Sequence, residues 1–219
     1  MKKVAVITNA SYGIGYKIAL AVAGKNFDLV LTDRDSKENL KEIVSLCKEK
    51  GSAFCYPFAG NLSDPVIAKR LYNEIAVIIG GSDTLINIAD TEFFGKTRDI
   101  KDEDYMSAIN ENLSAAFYCI RNAIPYMNKV KTGNIINICG SQKKNNCGSG
   151  EDIIGESQEN NNCTKQEKFR ASSVEAAFSG IRGLTEALAK ELPEVNVKYF
   201  DLDSQGDEIT VEQIGMILK

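Results

Sequence analysis

The sequence predicts a doubly wound α/β domain: a parallel sheet with helices on both of its faces. Three observations carry that prediction. Short β-branched runs alternate with longer amphipathic stretches along most of the chain. A glycine-rich turn falls between the first such run and the first helical pattern. The 219 residues, 43% hydrophobic and 26% charged, are enough for one core, and no linker divides them. A single domain over residues 1–219 is expected.

Taken in order, Lys3 to Thr8 reads as the first strand, Gly13 to Lys25 as a helix and Asp28 to Thr32 as the second strand. A charged amphipathic helix follows around Ser36 to Lys48, then a strand at Ala53 to Pro57. In Ser63-Asp64-Pro65, Asp64 can cap a helix whose first position is Pro65. A strand near Thr84 to Asn87, a long helical region around Glu103 to Met127 and a strand at Asn134 to Cys139 continue the alternation. The pattern then breaks: Ser141 to Arg170 is rich in Asn, Gln, Lys, Gly and Glu, so residues 141–172 are expected to form a mobile loop insertion. Helical periodicity returns from Ser173 to Leu192, followed by a strand at Val195 to Phe200 and a last helix near Val211 to Leu218.

Composition excludes several functions. A formal charge of −4, from 26 Lys and Arg against 30 Asp and Glu, gives no global attraction to nucleic acid or to an anionic membrane. The six cysteines have no C-x-x-C spacing and there is no histidine, so no metal site is expected. No stretch approaches the ~20 apolar residues that span a bilayer. The amino-terminal apolar run is too short for a secretory signal core, and a cytoplasmic location with reduced thiols follows as the expectation. Without histidine, any proton transfer must use Tyr, Lys, Cys, Ser or carboxylates.

The turn reads Thr8-Asn9-Ala10-Ser11-Tyr12-Gly13-Ile14-Gly15. Glycines there let the backbone approach a pyrophosphate, and the N–H groups and dipole of the helix that follows attract its charge. This segment resembles the Thr-Gly-x-x-x-Gly-x-Gly motif of the short-chain dehydrogenase/reductase family, classical type, with Asn9 in place of the first glycine. Asn tolerates a left-handed backbone, so the turn can survive the exchange. The resemblance, which runs from about Lys2 to Val197, implies a Rossmann-like fold and an NAD(P)-dependent oxidoreductase activity. It further implies that Asp33, at the end of the second strand, accepts the adenosine ribose hydroxyls, which favours NAD over NADP. Arg34 beside it could pair with a 2′-phosphate or stack on adenine and so keeps NADP open. Asn61-Leu62 stands where the family has Asp-Val beside the adenine, and Asn87 and Ala89 fall in the family's Asn-Asn-Ala-Gly.

The chemistry of the family is missing from this register. Gly183-Leu184-Thr185 aligns the helix after the family's Tyr-x-x-x-Lys and puts Val174 at the tyrosine and Phe178 at the lysine. The serine position falls on Gly140, with Ser141 one residue later; Asn112 matches the asparagine that supports a proton-relay water. Only Asn112 and Ser141 remain as catalytic remnants. Asp90 takes the last glycine of Asn-Asn-Ala-Gly, Leu202-Asp203 replaces the family's Pro-Gly, and the carboxy-terminal part is expected to be shortened.

The expectation is therefore a catalytically inactive binding or partner subunit that binds NAD or no cofactor. It is expected to pair as a homodimer, or as a heterodimer with an active relative, through the helices beginning near Glu103 and Ser173. One alternative is an enzyme whose donors have moved to Ser141, Tyr118, Tyr126, Lys143, Lys144, Lys165 or Lys168, with Cys147 or Cys163 brought in by the loop. The other is a nucleotide sensor that holds the adenosine half of its ligand.

Overall fold

A computed structural model describes residues 3–25, 27–35, 37–130, 132–140 and 170–218. Six parallel strands form one sheet in the order β3-β2-β1-β4-β5-β6. The strands are β1 (Val4–Ile7), β2 (Asp28–Asp33), β3 (Cys55–Ala59), β4 (Thr84–Ala89), β5 (Asn134–Cys139) and β6 (Asn196–Asp201). The helices between them are α1 (Gly13–Ala23), α2 (Lys41–Glu49), α3 (Pro65–Ile79), α4 (Asp102–Ala108), α5 (Ala115–Val130), α6 (Ser172–Glu191), α7 (Leu202–Gln205) and α8 (Asp207–Ile217).

Strand alternation divides the core between the two faces of the sheet. Ala5, Ile7, Leu29, Leu31, Ile86 and Ile136 pack under α1, α2 and α8. Val4, Val6, Val30, Leu85 and Ile135 point the other way, against apolar residues of α3, α5 and α6. A strand buried on both faces must be apolar throughout, and all four residues of β1 and all six of β4 are buried. A third cluster, at the C-terminal end of β4 and β5, holds Val174, Phe178 and Ile181 of α6.

The Asp64 carboxylate accepts a hydrogen bond from the Val66 N–H at 2.7 Å, with Pro65 opening α3, as the sequence requires. Three boundaries are corrected. The third strand begins at Cys55 rather than Ala53, because the Ser52 hydroxyl donates to Phe27 O and Phe54 O and the Phe54 N–H donates to Asp28, tying residues 52–54 into the crossing before the strand. Pro57 is tolerated in β3 because that strand is outermost and its missing N–H costs no ladder bond. The loop expected over 141–172 does not include its last three residues. Arg170 bridges to Phe94, Ala171 is fully buried and donates its N–H to Phe93 O at 2.8 Å, and Ser172 opens α6. Residues 141–169 lie outside the described residues. The final helix, α8, begins at Asp207 rather than near Val211, and the short α7 precedes it across Gly206 at φ 79°.

Candidate functional site

The sheet order reverses direction between β1 and β4, and the crevice beyond their C-terminal ends is where ligands bind in open α/β sheets. A cavity of about 310 Å³ opens there. Its lining includes Thr8, Asn9, Tyr12, Asp33, Arg34, Asn61, Leu62, Asn87 and Asn112, so nine of the residues picked out in the sequence meet at one place. Ser11, Gly13, Ile14, Gly15 and Ala89 are not part of the lining and act from behind it. Gly15 lets α1 approach the turn: a Cβ there would stand 2.2 Å from Asn9 O. Ile14 and Ala89 are buried, and Ser11 donates its hydroxyl to Asp33.

Asp33 is 5% exposed, and its carboxylate also accepts from the Asp35 N–H at 2.9 Å and from Asn39 Nδ2 at 3.1 Å. These bonds fix its carboxyl group at the mouth of β2. Arg34 turns to form an ion pair with Glu111, which also accepts from the hydroxyls of Thr91 and Ser107. Asn61 is held by its own turn, its Oδ1 accepting from the Ser63 N–H and hydroxyl. Asn87 spends its Nδ2 on Asn137, whose Nδ2 in turn bonds Thr185 on α6, and this buried chain leaves Asn87 Oδ1 without a partner. Thr32 Oγ1, also buried and facing the same cavity, has none either.

The two departures at the glycine positions meet each other. Asn9 adopts a left-handed backbone, φ 48°, as expected of Asn in a glycine's place, and its Nδ2 donates to Ile88 O at 3.1 Å and to Asp90 Oδ1 at 3.0 Å. Tyr12, just before α1, stands close to the same carboxyl group. A polar bridge thus spans from the β1 turn to the end of β4. Burial pushes the Asp90 carboxyl up to about 6, outweighing the Asn9 bond, and burial with the Asp90 charge raises the Tyr12 phenol to about 12.

The proton-transfer half is filled by packing. Val174 is fully buried and Phe178 is 5% exposed, both in the apolar cluster at the start of α6. Arg170 stacks on the Phe178 ring at 5.3 Å and pairs with Glu92 at 2.6 Å, Asp203 at 2.5 Å and Glu175 at 3.1 Å. Gly140 sits at φ 109°, where a Cβ would come within 3.2 Å of Leu202, so a serine at this position would be strained. Asn112 is buried in the π-helical turn Ile109–Ser114. Its amide accepts from the Thr91 N–H and donates to Thr91 O and Ala108 O. Those bonds tie the π-helical turn to the segment after β4 and use both ends of the Asn112 amide.

Of the relocated donors, Ser141, Lys143, Lys144, Lys165, Lys168, Cys147 and Cys163 lie outside the described residues. Tyr118 lines a separate surface hollow and Tyr126 packs on Tyr72; neither lines the cavity. Cys119 does, but burial raises its thiol to about 12, which leaves no thiolate to act as nucleophile. Among the described residues no group of His, Cys, Asp and Glu could hold a metal, and no helix is long and apolar enough to cross a membrane.

Sequence reasoning missed Arg170, Glu92, Glu111 and Thr91. Arg170 is the one basic residue immediately ahead of the α6 pattern, and Glu111 sits inside Asn110-Glu111-Asn112, so position alone could have flagged both. Their partners could not be read, because Arg170 and Glu92 are 78 residues apart.

Comparison with known proteins places this geometry. The family model described as short chain dehydrogenase matches residues 3–149. The chain is 28% identical over 225 residues to the 3-oxoacyl-[acyl-carrier-protein] reductase FabG of Staphylococcus aureus (strain Mu50), covering 96% of this chain and 88% of that protein. It is 29% identical over 197 residues to the D-beta-hydroxybutyrate dehydrogenase of Rhizobium meliloti (strain 1021), covering 90% and 68%. Among solved structures, a metagenomic short-chain oxidoreductase in complex with NADP superposes with a TM-score of 0.79 at 24% identity, over 99% of this chain and 90% of that one. A putative short-chain alcohol dehydrogenase from Sinorhizobium meliloti 1021 gives 0.73 at 26% identity, over 91% and 71%.

Proposed function

Because the chain belongs to the short chain dehydrogenase family, we propose that it is a non-catalytic member, a binding or partner subunit that holds the adenosine portion of a ligand without transferring hydride or proton. The observation that carries this reading is the fate of the proton-transfer positions. Val174 and Phe178 are core residues, and the space beside them holds an Arg170 cluster whose charges are already paired. A phenol near its ordinary pKa of ~10 needs an adjacent cation to act near neutrality, and neither a phenol nor a free cation stands at these positions.

The adenosine half is suited to its ligand. Asp33 is fixed to receive ribose hydroxyls, and Asn61, Leu62 and the buried Asn87 and Thr32 oxygens line the remaining wall. The nicotinamide side departs from the family pattern, with the Asp90 carboxyl group bonded by Asn9 in a glycine's place and the Arg170 cluster beside Phe178. Among dinucleotides NAD is favoured over NADP, because a 2′-phosphate would face Asp33 while Arg34 is already engaged by Glu111.

A partner role draws on the outer side of α4, α5 and α6. Tyr105, Met106 and Phe117 are exposed there, beside a hollow lined by Leu113, Ser114, Phe117, Tyr118 and Leu184. Such a face suits a second copy of the chain or an active relative. The reading is tested by calorimetry with adenosine, AMP, ADP-ribose, NAD, NADH, NADP and NADPH, alongside an NAD(P)H turnover screen against carbonyls and alcohols. Binding of at least one adenosine ligand with no turnover is expected. Silence across the whole set, or any turnover, overturns it.

A further inference from the structure

We propose that the cavity takes a nucleoside, with adenosine as its reference, whose 5′ substituent is neutral or cationic rather than a phosphate. The inference rests on the adenosine-binding reading above and commits it to a ligand class.

Three independent features point this way. The first is charge. Asp33, Asp35 and Glu111 line the cavity against Arg34, its one cation among the described residues, and Arg34 is paired with Glu111. An anion entering this wall would meet carboxylates with no uncommitted partner, and desolvating a phosphate there is costly.

The second is hydrogen-bonding sense. Among the described residues Asn87 Oδ1 and Thr32 Oγ1 are buried lining atoms without partners, and the first can only accept. A ligand that satisfies it must donate, as a ribose hydroxyl, an exocyclic amine or an ammonium does and a phosphate does not.

The third is the bridge across the crevice. The helix N-terminus at α1 would ordinarily draw a pyrophosphate. Here Asp90, which Asn9 bonds at 3.0 Å, sets a carboxyl group beside that turn, with the Tyr12 phenol close enough to feel its charge. A pyrophosphate drawn to this turn would meet that carboxyl group and the Asn9 contact that holds it. A nucleoside need not disturb it. The cavity of about 310 Å³ is at the lower end of the ~300–1,000 Å³ range of small-molecule sites, a size that suits a nucleoside better than a dinucleotide.

The test is calorimetry on the full chain at pH 7.5 with adenosine, 5′-methylthioadenosine, 5′-amino-5′-deoxyadenosine, AMP and NAD. The first three should bind at least about tenfold more tightly than AMP and NAD. Asp90→Asn, which keeps the oxygen that Asn9 bonds while removing the charge, should narrow the gap between adenosine and AMP. If AMP or NAD binds as tightly as adenosine, the ligand class proposed here is wrong while the adenosine-binding reading stands. If none of the five binds, both fall together.

Discussion

Asn9 and Asp90 are each unremarkable alone and informative as a pair. Asn9 holds a conformation, φ 48°, that few side chains adopt, and its amide is fixed by Ile88 O and Asp90. The sequence made Asn9 legible as a glycine substitute and Asp90 legible as a charge in a glycine's place. Their contact was not legible, because 81 residues separate them and nothing local records it. Asp33, Asn61 and Asn87 were legible because strand ends fix where they must stand, whatever happens further along the chain. The pair has a consequence for stability. Burial holds the folded Asp90 carboxyl near 6, above the ~3.9 of an unfolded chain, with Asn9, Tyr12 and Glu92 as its neighbours. Between those values the folded state keeps a proton that the unfolded state has lost. Stability from this group is therefore present below about pH 4 and is lost as pH rises through about 6, on the order of 3 kcal/mol in all. Urea midpoints measured from pH 4 to pH 7 should show Asp90→Asn gaining on the native chain as pH rises. Parallel curves would refute this assignment.

Asp102 to Val130 illustrates what periodicity can and cannot give at the scale of an element. Its apolar spacing predicts one continuous helix, and helical backbone does run through it. The six residues Ile109–Ser114 nevertheless widen into a π-helical turn, where Asn112 reaches across to both backbone groups of Thr91. That widening is driven by a tertiary bond, so no pattern along the helix announces it. The start of α6 was placed within one residue of its observed position by its own pattern, yet what fixes that end is the Arg170 guanidinium just before it. Arg170 pairs with both Glu92 and Asp203, and its side chain is 19% exposed. Arg170→Ala would remove an ion-pair partner from Glu92, Asp203 and Glu175 and strip the Phe178 ring of its stacking partner. A loss of roughly 2–4 kcal/mol is expected by chemical denaturation, and Arg170→Lys should recover only part of it because a single ammonium cannot serve three carboxylates bidentately. A loss under about 0.5 kcal/mol, the size of an ordinary surface substitution, would show that the cluster is decorative.

At the scale of the whole molecule, the alternation of strand and helix was enough to predict the sheet, because a strand buried on both faces has no freedom to be polar and each crossover must cover one face. The order β3-β2-β1-β4-β5-β6 then follows from two right-handed halves meeting at β1 and β4, which is why the binding crevice could be located before any distance was known. The end of the chain was less legible, since α7 is a single short turn that Asp201 caps and that leaves little periodic signal. The same order has a colloidal consequence. Among the described residues β3 and β6 terminate the sheet, so each presents a row of backbone groups to which a strand of another molecule could add. Each also carries a residue that discourages such addition: Pro57 in the middle of β3, and the exposed Lys198 in the middle of β6. Lys198→Val should change the unfolding free energy by less than about 0.5 kcal/mol while hastening the rise of light scattering in a concentrated, warmed solution. The lysine would then be a guard on solubility, placed where the molecule's own architecture leaves it open to polymerisation.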